Sequence, residues 1–232
     1  MTEPLPILLL PGLLCSPRLY AAQLPVLWAH GPVMVADHRR DDTLDAIAAR
    51  VLAHAPPRFA LAGLSMGGYI AYAILRAAPE RVAKLALLDT AARADLPEQS
   101  ERRMAQIELA ESGRFGELLD LLWPLFVHKN RQHDEALKSV VRAMMDDTGP
   151  AAFVRQQKAI MTRPDSRPDL PKIKCPTLIL VGDGDTLTPP KLSEEMAGLI
   201  PGSRLVTVAD CGHLSTLERP EAVNRALVEW IA

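Results

Sequence analysis

The sequence predicts an α/β protein: a mostly parallel sheet of about six strands, helices on both of its faces, and a helical insertion. Three observations predict it. Short apolar runs bounded by turn residues recur at Ile7–Leu10, Val33–Ala36, Phe59–Leu64, Leu85–Asp89, Thr177–Val181 and Leu205–Val208. These runs are continuously apolar and lack alternation, as expected of strands covered on both faces. Segments of helical spacing separate several of them, which is the rhythm of strand–helix–strand units.

The elements follow in order. After Ile7–Leu10 comes a helix at Tyr20–Trp28, and after Val33–Ala36 a helix at Thr43–Ala53. The strand Phe59–Leu64 runs straight into the helix Met66–Ala77, which the turn Pro79-Glu80-Arg81 closes before the strand Leu85–Asp89. From Arg93 to Pro171 no strand is offered. Helical patterns occupy Glu101–Glu111, Phe115–Leu122, Asp134–Met145 and Ala151–Met161, and a charged, proline-rich return from Arg163 to Pro171 leads back to the sheet. Thr177–Val181 resumes the alternation, Pro189-Pro190 opens the helix Lys191–Leu199, and Leu205–Val208 precedes a last helix at Pro220–Ile231. The division expected is a core of residues 1–92 and 172–232, with 93–171 inserted over the carboxyl ends of the strands as a cap.

Composition narrows the function classes. The 232 residues are 48% apolar and 23% charged, the composition of one ordinary globular domain. Lys and Arg number 26 against 28 Asp and Glu, for a net charge of −2, and no basic run suits a row of phosphates, so nucleic acid is not an expected partner. Three cysteines, Cys15, Cys175 and Cys211, without CxxC spacing suit neither a disulfide framework nor a thiolate metal cluster. The opening Met1-Thr2-Glu3-Pro4 lacks the positive segment of a signal peptide. The chargeless stretch from Phe59 to Leu75 reads as a buried strand entering a buried helix, not a membrane span. A cytoplasmic location, a small-molecule substrate, no membrane insertion, no metal and no cofactor are therefore expected; oligomeric state is not legible.

Within that stretch lies Gly63-Leu64-Ser65-Met66-Gly67. A G-x-S-x-G between strand and helix is the setting in which a tight turn lifts a serine hydroxyl above the sheet edge. Glycines that simply make a βα turn are the alternative reading. A serine hydroxyl needs an imidazole to remove its proton. His30, His38 and His54 precede the serine in a loop or helix and read as surface residues, while His128 and His133 fall in the insertion. His213, in Ala209-Asp210-Cys211-Gly212-His213 after the last strand, lies at the same sheet edge as Ser65 and is the candidate base. A carboxylate must orient it, and Asp183, Asp185 and Asp89, each at the end of a strand, all keep the order acceptable. Spacing alone does not choose among them.

The chain resembles the α/β-hydrolase superfamily, in its branch of small single-domain serine hydrolases with a helical cap. The resemblance rests on Leu8-Leu9-Leu10-Pro11-Gly12, on Gly63-Leu64-Ser65-Met66-Gly67-Gly68, on the segment Gly182 to Pro189, and on Gly212-His213 followed by Glu218-Arg219-Pro220. It implies that Asp185 supplies the acid, that Asp89 is a structural loop carboxylate, and that the backbone N–H groups of Leu13 and Met66 form an oxyanion hole. It also implies a sheet near six strands, since the chain opens at the third strand of the full fold. Two departures stand out. Pro11-Gly12 replaces the usual His-Gly, removing a side-chain hydrogen bond that steadies the oxyanion loop, and Asp37 to Asp42 lacks the glycines common after the second core strand.

The reading that follows is hydrolysis of an ester or thioester of a small, largely apolar acid by Ser65, His213 and Asp185. Carbon–carbon bond hydrolysis or lyase chemistry on the same residues, and ligand reception without turnover, are the rivals. Trp123, Phe126, Phe115, Met144, Met145, Phe153 and Met161 are candidates to line an apolar pocket, and Cys15 and Cys211 read as packing residues.

Overall fold

Alternation, absent from the strand sequences, reappears in where their side chains go. In the computed structural model, which describes residues 4–232, β1 (Ile7–Leu10) sends Ile7 and Leu9 into one apolar cluster and Leu8 and Leu10 into another on the opposite face of the sheet. Successive strand side chains point to opposite faces. In β3 (Phe59–Leu64) Ala60, Ala62 and Leu64 join the first cluster and Phe59 and Leu61 the second; β4 (Val82–Leu88) and β5 (Thr177–Gly182) divide the same way. Both faces are covered, so both must be apolar. The edge strands β2 (Val33–Val35) and β6 (Arg204–Val208) are less buried.

The sheet has six strands in the order β2-β1-β3-β4-β5-β6, all parallel, as the sequence predicts. Register carries Leu10 beside Gly63, Leu64 beside Leu88, Leu88 beside Leu180, and Gly182 beside Val208, so five strands end at the same edge of the sheet, β5 and β6 running two positions beyond β4. Strand order reverses at β1, and loops leaving two neighbouring strands at such a point diverge to leave a crevice. The loop after β1 and the turn after β3 border it.

The helices are α1 (Leu24–Trp28), α2 (Leu44–His54), α3 (Met66–Ala77), α4 (Pro97–Glu111), α5 (Leu118–Phe126), α6 (Glu135–Thr148), α7 (Pro150–Met161), α8 (Pro190–Leu199), α9 (Ser215–Glu218) and α10 (Pro220–Ile231). Proline stands at the first position of α4, α7, α8 and α10, where its missing N–H removes no helical bond. Thr43 and Asp134 cap α2 and α6 by accepting from the N–H groups of Ala46 and Leu137. Helices α4 to α7 all lie between β4 and β5 in the chain. Among the described residues no helix is long and apolar enough to cross a membrane.

Several element boundaries correct the sequence expectation, α4 among them, which begins at Pro97 and not Glu101. The helix expected at Tyr20–Trp28 is a 3₁₀ turn over Pro17–Tyr20 followed by the short α1, which places Pro25 in its first turn, where the missing N–H removes no helical bond. The helix expected at Phe115–Leu122 begins at Leu118, after a 3₁₀ turn, and continues to Phe126 through Pro124. Strand β4 begins at Val82, not Leu85; its Lys84, which looks too polar for the sheet, donates to the carbonyls of Trp230 and Ile231 at the end of α10.

Candidate active site

Between Phe59 and Ile74 every residue is buried except Ser65. The turn that exposes it is strained: Ser65 has φ 54° and ψ −115°, a conformation rarely held by a residue with a side chain. Glycines make room for it. A Cβ on Gly63 would strike the Gly67 carbonyl, and one on Gly67 would strike the carbonyl of Leu10 on the neighbouring strand. The Ser65 N–H bonds to Leu88 O at 2.9 Å and its carbonyl accepts the Thr90 hydroxyl at 2.7 Å, so the loop after β4 holds the turn.

His213 and Asp185 meet in the interior. Nδ1 of His213 lies 2.8 Å from Asp185 Oδ2. The other carboxylate oxygen accepts the N–H groups of Leu187 at 2.8 Å and Thr188 at 3.0 Å, while the Thr188 hydroxyl donates to Oδ2 at 2.7 Å. Burial alone would push the Asp185 carboxyl up; the His213 charge and these hydrogen bonds outweigh it and hold it below its ordinary value. Burial likewise pulls His213 down, and Asp185 more than reverses this, so the imidazole takes a proton more readily than a free histidine. Of the three carboxylates left open by spacing, Asp185 is the one hydrogen-bonded to His213. Among the described residues Asp183 accepts only the Cys211 N–H, at 3.2 Å.

Asp89 ties the loops that carry this pair. It accepts the Gly182 N–H at 3.0 Å and the Ser215 hydroxyl, three residues from Asp185 and two from His213. Burial and the nearby Asp185 charge push its carboxyl up to about 8. Glu218, which the sequence offered only as part of a resemblance, clamps the His213 loop: its oxygens accept the N–H groups of Gly212 at 2.9 Å and His128 at 2.8 Å. Phe126 at the end of α5 completes the clamp, its carbonyl accepting from His213 and Leu214, each at 3.1 Å. The Phe126 ring stacks near the imidazole, with centroids 6.5 Å apart and planes at 16°.

The loop after β1 needs a correction. His38 is buried, not at the surface, and its Nε2 lies 2.9 Å from Gly12 O. A carbonyl can only accept, so Nε2 carries the hydrogen there. Burial holds His38 below the ordinary imidazole value, and the bond to Gly12 O offsets part of that shift. Gln156 of α7 sits beside it, its amide nitrogen 3.1 Å from Nε2 and its carbonyl oxygen accepting the Leu14 N–H at 3.1 Å. The support expected to be missing with Pro11-Gly12 is thus present, supplied from two distant segments. Among the described residues the N–H groups of Leu13 and Met66 have no protein acceptor.

Ser65, Leu13 and His213 line one cavity of about 540 Å³. Among the described residues no hydrogen bond joins Ser65 Oγ to His213; such bonds are often long before substrate binds. Helices α5 and α7 wall the cavity with Leu122, Leu125, Phe126 and Ile160. Of the seven apolar candidates in the insertion, only Phe126 reaches it. Trp123, Met144, Met145 and Phe153 are buried in the core, with Phe115 and Met161 packed against them. Cys15 borders the cavity, but burial raises its thiol to about 12, and Cys211 is raised also, so neither is a ready thiolate. Among the described residues no cluster of three or more His, Cys, Asp or Glu is placed to hold a metal ion.

A profile described as the alpha/beta hydrolase family matches residues 7–226, and the chain belongs to that family. Within it, the chain is 31% identical over 196 residues to BpoC of Mycobacterium tuberculosis, a protein that carries a non-heme bromoperoxidase name, covering 82% of this chain and 71% of that one. Among solved structures it is similar to a thermophilic esterase from Thermogutta terrifontis, with a TM-score of 0.89 and 31% identity over 100% of this chain and 90% of that one. It is also similar to the enol-lactonase from Burkholderia xenovorans LB400, with a TM-score of 0.90 and 26% identity over 99% and 92%.

Proposed function

We propose that the protein is a serine hydrolase that cleaves an ester or thioester of a small acid through an acyl-enzyme. The observation that carries this reading is the strained Ser65 turn opening on the same cavity as an imidazole whose other nitrogen is held by a buried carboxylate. Ser65 Oγ attacks the carbonyl carbon while His213 Nε2 takes its proton; Asp185 stabilises the resulting imidazolium. The oxygen that gains the charge faces the N–H groups of Leu13 and Met66. A donor of this kind lowers the barrier by about 2.7–4 kcal/mol. The leaving alkoxide or thiolate takes the proton back from His213. Water then repeats the sequence on the acyl-enzyme, regenerating Ser65 and releasing the acid. Residues 93–171 act as a cap that shapes the acyl site, with Leu122 and Phe126 as its apolar wall.

Esterase and lactonase relatives agree with acyl transfer, and the same residues in carbon–carbon cleavage are the competing chemistry. A panel of p-nitrophenyl esters of graded acyl length tests the choice. Turnover is expected with short acyl groups and is expected to vanish in Ser65→Ala. A pure, folded protein inactive on every ester and thioester, yet active on a β-diketone, overturns the proposal.

A further inference from the structure

Five arginines line the cavity, Arg93, Arg102, Arg103, Arg163 and Arg167, and four of them form one wall: Arg93 and Arg167 meet at Glu195, Arg103 and Arg163 meet at Asp95, and Arg163 donates to Arg93 O. The carboxylates paired with them are fewer. Arg93 bonds Glu195 at 2.7 Å and Arg167 bonds Asp165 at 2.5 Å. Arg103 and Arg163 share one carboxylate, Asp95, at 2.7 and 2.5 Å. Arg102 has no acidic partner among the described residues and is solvent-exposed. Five guanidiniums therefore face three carboxylates.

The excess charge is not all on the surface. The side chains of Asp95 and Arg163 are 2% and 6% exposed, so two cations on one anion leave a positive charge that water screens poorly. Arg163 also stacks over Tyr69, another residue of the cavity wall, at 4.4 Å from the ring centroid. That contact holds a cation without neutralising it. A fork of five N–H donors on Arg102, which lines the same cavity and is next to Arg103 in α4, suits a carboxylate or phosphate.

We infer that this wall is an anion subsite, and that the preferred ester carries a second anionic group, a carboxylate or a phosphate, apart from the scissile bond. This rests on the hydrolase reading for its chemistry. The apolar residues at the other wall then meet the chain between the scissile carbonyl and the distal charge. Arg102 is the specificity-determining residue, with Arg103 and Arg163 supplying the field behind it.

The test compares two esters, the mono-p-nitrophenyl ester of glutaric acid and its neutral methyl-capped counterpart, in wild type, Arg102→Ala and Arg102→Lys. Wild type is expected to favour the anionic ester by about tenfold in kcat/KM, through KM, as one charge-assisted hydrogen bond supplies. The preference is expected to disappear in Arg102→Ala, to return in part with Arg102→Lys, and to weaken at high ionic strength. Equal turnover of the two esters by wild type, or an unchanged preference in Arg102→Ala, overturns the inference.

Binding is read separately from chemistry. Glutarate and glycerol phosphate are each added to the Ser65→Ala protein, with and without Arg102→Ala, and melting is followed. Stabilisation that depends on Arg102 supports the subsite even if neither ester is turned over, in which case the hydrolase reading fails alone; the anion with the larger shift identifies the group. No stabilisation by either overturns the subsite.

Discussion

At the scale of single residues, the assignment turns on which carboxylate holds His213. Asp185→Asn keeps the shape but loses the charge that stabilises an imidazolium, and turnover is expected to fall by about 10³–10⁴-fold. Asp183→Asn retains an oxygen for the Cys211 N–H and is expected to stay within a few-fold of wild type. Steady-state rates of the two variants check this, and the reverse pattern would move the acid to Asp183. The pH profile is the second residue-scale consequence. His213 must be neutral to accept the serine proton, and Asp185 raises its proton affinity above the free value of 6.5. The acid limb of kcat/KM is therefore expected above pH 6.5, with activity rising as pH increases through it; a limb below 6.5 would contradict the buried pair.

At the scale of elements, the loop after β1 is held from outside itself. His38, from the loop after β2, and Gln156, from α7, both bond its backbone, so the position of α7 is coupled to the loop that offers the Leu13 N–H. Replacing either by Ala removes a buried hydrogen bond worth about 1–3 kcal/mol and loosens the loop. For both His38→Ala and Gln156→Ala, kcat is expected to drop about tenfold with little change in KM, because the oxyanion forms only after substrate has bound. Equal kcat in all three proteins would show that the loop holds its shape unaided. None of this was legible from Pro11-Gly12 and His38 as letters. His38 is 26 residues from Gly12 and Gln156 is 142 from Leu14, and a hydrogen bond across such separations leaves no local pattern.

For the whole molecule, the sheet was legible because burial on both faces writes itself as continuous apolar runs, and Ser65 because a turn this tight admits only glycine at its close approaches. Phe59–Leu64 and Met66–Ala77 have the bounds the sequence suggests. The cavity wall was not legible. Trp123, Phe153 and Met144 have the same apolar character as Phe126, and only packing decides which of them faces the cavity and which faces another helix. The arginines were hidden for a related reason: Arg93, Arg103 and Arg163 are separate surface-like residues in the chain, and the fold collects them at one wall. Fold class, then, was legible in local periodicity, while the lining of the cavity depends on tertiary contacts.

The most direct measurement is labelling of the purified protein with a fluorophosphonate, followed by peptide mapping, alongside Ser65→Ala and His213→Ala. A phosphonyl adduct on Ser65 is expected in wild type and in neither variant, since the hydroxyl reacts only when its proton has somewhere to go. An adduct that persists in His213→Ala, or that maps to a residue other than Ser65, would contradict an activated serine at the centre of this site.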